Sequence, residues 1–477
     1  MSQKKSQQDI PMWAKLGHGR PITRRELLSA GALSFSAAMF VPSWLNSILP
    51  KAAAADLTCS NGASLIPFIT LNLSGGAALQ ANYIPQDQGG QLLPSYNILG
   101  LGSTSTLPIE KEFGKVPFAG QVNGRLISQF LQGMRSAAPT ALSNTAFVSI
   151  CARSRDDTAA NKFSVDGLLA KAGLGGSLLP NLGSTASATG ITQDASLVIP
   201  PTPLRVNSFN QLTSSLGYNS NLQTLNTQQQ LSLAKLVSRL SETQSRKIAS
   251  IAGGAEAKAV LDCAGIKNES VLKRGSDAVD PRQDMRAGTK LQTIWNINAN
   301  TNVTSQDLVF SSMVYNALTS QAGSVALELG GYDYHDNTRS TGDSKDFNAG
   351  QTVGRILESA AALGKPLFLY ICSDGSLVSA DSTSSTAPWT ADSGTSGMAY
   401  MLYFNPSARP ATSGFQIGQF LPGQVVDEST PFGNAPELAA AVVFANYLKV
   451  NNVLGSFDAL TSRILTPSTL DQVVKFT

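Results

Sequence analysis

The stretch Val325-Ala326-Leu327-Glu328-Leu329-Gly330-Gly331-Tyr332-Asp333-Tyr334-His335-Asp336 joins a short apolar run to a glycine turn and a series of chemically active side chains. The run is too short for a helix, shows no polar alternation and stops at two glycines, which is how a strand buried on both faces reads. Four more stretches read the same way: Leu65–Leu73 (LIPFITLNL), Ala146–Ala152 (AFVSICA), Pro366–Cys372 (PLFLYIC) and Met398–Phe404 (MAYMLYF). Between them apolar residues recur at spacings of three and four over Gly124–Ser136, Thr227–Ile251, Ser305–Thr319, Asp346–Leu363 and Pro436–Val450, which predicts helices. Strands alternating with helices imply an α/β fold whose mostly parallel sheet is flanked by helices.

Two segments break the pattern. Gly173–Asn226 is dense in Ser, Gly, Asn, Thr and Leu with little periodicity, and reads as an inserted cap. A long helix is expected after it, over Thr227–Asp262, broken near Gly253-Gly254. Ser373–Gly397 is almost all Ser, Thr, Asp, Ala and Gly, and reads as a long loop of the kind that often carries function.

The 477 residues are 42% hydrophobic and only 14% charged, which excludes a disordered tail protein, a coiled coil and a collagen-like chain. The net charge of +3 comes from the first 55 residues, which hold seven basic and two acidic side chains; the remaining 28 basic and 30 acidic residues sum to −2. That balance carries no nucleic-acid footprint. Thr23-Arg24-Arg25-Glu26-Leu27-Leu28 is a twin-arginine motif, followed by a weakly apolar segment from Leu27 to Leu49 and the small residues Ala52–Ala55. A membrane anchor is the alternative, but Pro42 and Asn46 interrupt the segment and the alanine-rich exit suits signal peptidase. The expectation is a signal over 1–55, cut after Ala55, and a single domain over 56–477. The twin-arginine export machinery would deliver it to the periplasm or the extracellular space, with no membrane span in the mature form. Cys59, Cys151, Cys263 and Cys372 match no zinc spacing; in an oxidising compartment they permit three disulfide connectivities, and structural roles are expected.

In an open α/β sheet ligands bind beyond the carboxyl ends of the strands. Four predicted strand ends carry polar residues: Asn72, Ser74 and Gly75-Gly76; Arg153 to Asp157; Gly330 to Asp336; and Ser373 to Ser376. The third is the sharpest. His18 leaves with the signal, so His335 is the one histidine of the mature region, and Asp333 two residues before it can aim at the same point. A Ser-His-Asp triad lacks its nucleophile elbow here, and a zinc site of several histidines is impossible within one chain. Any metal site must then draw carboxylates from Asp333, Asp374, Asp392 or Asp156, a hard oxygen set that favours Mg²⁺, Mn²⁺ or Ca²⁺ over Zn²⁺. Arg153 and Arg155 suit an anionic substrate, or else simply pair with Asp156 and Asp157.

The twin-arginine signal, a first strand ending in Gly-Gly and a late strand ending Gly330-Gly331-Tyr332-Asp333-Tyr334-His335 together resemble a family of exported bacterial proteins. That family is a domain of unknown function, distantly similar to alkaline phosphatases and sulfatases. The resemblance covers most of 65–450 and implies an alkaline-phosphatase-like core. It implies a metal-dependent hydrolase of phosphate or sulfate esters with its site at the strand ends, onto whose ligand positions Asp333 and His335 map; Asp374 and Asp392 are the further candidate carboxylates for the metal, and Ser373 or Ser376 is the candidate nucleophile. The chain departs from the family at three places. Ala77 and Ala78 follow Gly76 where an Asp is usual. Ser373-Asp374-Gly375-Ser376 stands for Ser/Thr-Glu-Phe-Gly-Arg, and Gly394-Thr395-Ser396-Gly397 lacks the Asp-His pair. These losses degrade the implied metal site, and leave a non-catalytic protein binding a small molecule or surface partner as the alternative.

Overall fold

The computed structural model describes residues 65–83, 128–153, 165–184, 203–216, 275–284, 289–332, 339–373, 397–421 and 437–477, with short pieces between them. Eight strands form one sheet: β1 (Phe68–Leu73), β2 (Thr145–Cys151), β3 (Leu182–Ser184), β4 (Leu204–Val206), β5 (Val325–Leu329), β6 (Leu367–Ser373), β7 (Met398–Phe404) and β8 (Gln416–Ile417). Their spatial order is β8-β2-β7-β6-β1-β5-β3-β4. β7 runs antiparallel to both β2 and β6; every other pairing is parallel. The sheet is thus mixed α/β and mostly parallel, as the sequence implies.

All five expected strands form. β1 starts later than its apolar run because Pro67 has no N–H to give the ladder; its carbonyl still accepts from Phe368 N at 3.0 Å. Two expectations change. Within the segment read as a cap, β3 and β4 extend the sheet edge beyond β5, each only three residues long. Within the segment read as a loop, Ser376–Ser379 and Trp389–Ser393 pair as an antiparallel ribbon between β6 and β7. That ribbon returns the chain beside β6, which reverses β7.

Helices cover both faces. Ile69, Leu71 and Leu73 of β1 point into one core with α1 (Gln129–Ala137), α3 (Phe209–Ser215), α4 (Lys290–Trp295), α5 (Gln306–Leu318) and α6 (Arg339–Leu363). Phe68 points the other way, into a core with α2 (Asp166–Lys171), α7 (Glu437–Val450), α8 (Phe457–Thr461) and α9 (Pro467–Val473). The period-2 alternation of a strand between two helical layers produces this split. α1 begins at Gln129, five residues after the periodic stretch does, because Ser128 caps it by accepting from Leu131 N at 3.1 Å. α6 begins seven residues before its apolar periodicity, since Arg339–Lys345 is polar throughout. Of the long helix expected after the cap, residues 228–233 are helical, and most of the rest lies outside the described residues.

Among the described residues no helix is long and apolar enough to cross a membrane. Cys151 and Cys372 are buried thiols outside any disulfide, as expected of strand residues, and burial holds the Cys151 thiol far above its ordinary range. Cys59 and Cys263 lie outside the described residues.

Candidate functional site

β1 lies between β5 and β6, and one residue sets the level of all three exits: Leu73 is in register with Leu329 on one side and Ser373 on the other. Beyond it Gly75 and Gly76 take φ values of 114° and 89°, a left-handed turn that side chains resist. Hydrogen bonds then stitch the exits into one rim. Ser74 N donates to Leu329 O at 3.0 Å and Tyr332 N donates to Ser74 O at 3.0 Å. The Ser373 hydroxyl donates to Leu73 O at 2.7 Å and accepts from Ala77 N at 2.7 Å.

Ser373, expected as a nucleophile, is therefore engaged on both sides and buried. To attack a substrate it would have to surrender its proton contact and uncover two backbone groups. Ser373→Ala is expected to lower stability by about 2 kcal/mol, because truncation leaves buried partners unsatisfied; Ser373→Thr, which keeps the hydroxyl, should recover part of the loss. Urea unfolding midpoints of the three proteins measure this.

A second polar group braces the rim from behind. Asn82 Nδ2 donates to Asp346 Oδ2 at 2.7 Å, while Asn82 Oδ1 accepts from Ser128 Oγ at 3.0 Å and Phe130 N at 3.1 Å. One buried amide thus joins the start of α1 to a buried carboxylate on α6. Tyr332 packs beside it; burial first, then the Asp346 charge, push its phenol far above the ordinary range, and its OH donates to Lys345 O at 2.9 Å. Asn82 and Asp346 gave no sequence signal, since a buried polar pair looks like any helix-flanking polar residues until the fold brings them together.

On the outer side of the β5 exit a cleft of about 290 Å³ opens between α4, the start of α5 and α6. Lys345 and the Arg355–Asp307 ion pair, at 2.8 Å, stand on its walls.

Of the other expected site residues, Arg153 gives its guanidinium to Glu428 and its N–H to Gly433 O at 3.0 Å. It therefore has a partner other than the neighbouring Asp156 and Asp157. Asp333, His335, Asp374 and Arg155 lie outside the described residues, as do the side chains of Asp392 and Ser376 in the ribbon strands. Asp333 follows Tyr332 directly in the chain, and Asp374 follows Ser373. Among the described residues no group of three or more His, Cys, Asp and Glu stands together to hold a metal ion.

No family model matches the chain. No curated protein matches it either. Among solved structures, a magnesium-bound mutant of TAB5 alkaline phosphatase is similar over 81% of this chain and 99% of that one, at 10% identity and a TM-score of 0.26.

Proposed function

We propose that the chain is an exported, metal-dependent hydrolase of phosphate or sulfate esters that works at the carboxyl edge of its sheet with a reduced ligand set. The observation that supports it is the shared register of Leu73 with Leu329 and Ser373. Leu329 and Ser373 end their strands at one level on either side of the strand that leads into the Gly75-Gly76 turn, and Asp333 and His335 follow the first in the chain and Asp374 the second. Asp333, His335 and Asp374, with Asp392, would hold the cation. Carboxylates with one imidazole fit Mg²⁺, Mn²⁺ or Ca²⁺ better than Zn²⁺. When bound, such an ion polarises the phosphoryl or sulfuryl oxygen and lowers the proton affinity of an attacking group.

The chain's own residues have narrower tasks. Ser373 positions the rim through Leu73 and Ala77, so attack falls to water or to Ser376. Arg153 would clamp a substrate anion only by leaving Glu428, and Arg155 is the remaining guanidinium for that role. These two engagements favour the second reading, a binding protein on the same fold that has lost catalysis.

The mature protein should hydrolyse a chromogenic phosphate or sulfate monoester in the presence of Mg²⁺, Mn²⁺ or Ca²⁺, and chelator should abolish the activity. Asp333→Asn should lower the rate at least a hundredfold, since a lost ligand removes the ion. No turnover of either ester class with any of the three cations leaves the binding protein as the reading.

A further inference from the structure

The cleft beside the β5 exit has a composition that selects a ligand. Lys345 Nζ gives Gly330 O a single long bond at 3.3 Å and lies 5.7 Å from the centre of the Tyr332 ring. Among the described residues no carboxylate pairs with it. Gly331 makes room for this ammonium: at its φ of +80°, a Cβ would stand 2.7 Å from Lys345 Nζ. The Arg355 charge is balanced by Asp307, and its guanidinium is fixed over the Trp295 ring at 5.8 Å. Gln306 and Asn348 add two exposed side-chain amides to the walls.

Three ligand classes fit poorly. A nucleobase needs an aromatic face, but Trp295 and Tyr332 are each only 1% exposed. A phosphate dianion would find one cation without a carboxylate partner, Lys345, because Arg355 is engaged by Asp307. An apolar ligand would strand the amides and the ammonium without partners. The volume lies at the lower limit of small-molecule pockets, about 300 Å³. We propose that the cleft binds a single sugar unit bearing one carboxylate, a uronic acid, with the carboxylate on Lys345 and the ring hydroxyls on Gln306, Asn348 and the Arg355–Asp307 pair. Amides and a fixed ion pair offer donors and acceptors together, which suits hydroxyls that are both. The proposal does not rest on hydrolysis, because it uses none of Asp333, His335 and Asp374.

The test is a ligand-observed NMR titration of the mature protein, with chelator present so that the metal site plays no part. Glucuronate, glucose, acetate and inorganic phosphate are the probes. Glucuronate should bind about tenfold more tightly than glucose, the worth of one charge-assisted bond, and more tightly than acetate or phosphate. Lys345→Met should erase the difference between glucuronate and glucose, whereas Asn348→Ala, on an exposed side chain, should weaken both sugars without changing the melting temperature. If Lys345→Met misfolds through loss of its packing on Tyr332, Asn348→Ala and Gln306→Ala carry the test. Absence of glucuronate binding, equal binding of glucose, stronger binding of phosphate, or unchanged affinities in the variants would overturn the proposal.

Discussion

Gly350→Ala is expected to destabilise the protein by about 3 kcal/mol, the upper end of what overpacking costs. The reason is the contact between α1 and α6, where backbone meets backbone. An added Cβ at Gly350 would fall 2.0 Å from Phe130 O, and one at Gly133 would fall 2.1 Å from Phe347 O. One turn on, a Cβ at Gly354 would meet Met134 O and the Ala137 methyl at 2.8 Å each. No side-chain rotation relieves a clash with a carbonyl, so the helices must separate and loosen the core around Phe130 and Met134. Helix propensity alone gives the opposite sign, since alanine in place of a helical glycine gains about 1 kcal/mol. Gly455→Ala is the control: nothing lies within 4 Å of a Cβ there, and its effect should be small. Unchanged or increased stability of Gly350→Ala in urea would refute the close approach of the two helices.

The largest change in behaviour is expected from Arg24→Lys combined with Arg25→Lys. Lysine keeps both charges, so the double variant isolates recognition of the guanidinium groups from the general need for a basic leader. In a host with a twin-arginine pathway the precursor should stay in the cytoplasm and the mature form should vanish from the exported fraction. Fractionation followed by detection of the two sizes reads the result. Normal appearance of the mature form outside the cytoplasmic membrane would remove export from the proposed function.

The buried strands were legible because a run such as Val325–Leu329 or Met398–Phe404 has to lie between two helical layers, and both have the bounds their sequences suggest. Their direction was not legible. An apolar run reads alike both ways, and the reversal of β7 depends on a ribbon built from residues with no apolar period. β3 and β4 escaped for a related reason: three residues are too few to show alternation, so a sheet edge resembled a polar insertion. In the candidate site, the strand ends could be named from the sequence, but not what their side chains do there. Ser373 looked like a reactive hydroxyl at a strand end, whereas its place opposite Leu73 makes it a tie between neighbouring exits. Glycine inside a helix weakens it by propensity alone, and the value of Gly350 and Gly354 appears only when α1 is laid against them.

The most direct test of the proposed carboxyl-edge metal site is thermal unfolding of residues 56–477 titrated with Mg²⁺, Mn²⁺, Ca²⁺ and Zn²⁺, repeated on Asp333→Asn and His335→Ala. An ion that binds only the folded chain stabilises it by about 2.7 kcal/mol at a hundredfold excess over its dissociation constant. The expected result is a rise in melting temperature with at least one of Mg²⁺, Mn²⁺ and Ca²⁺, larger than any with Zn²⁺ and absent from both variants. No rise with any cation, together with variants that melt as the parent does in every condition, would contradict the site.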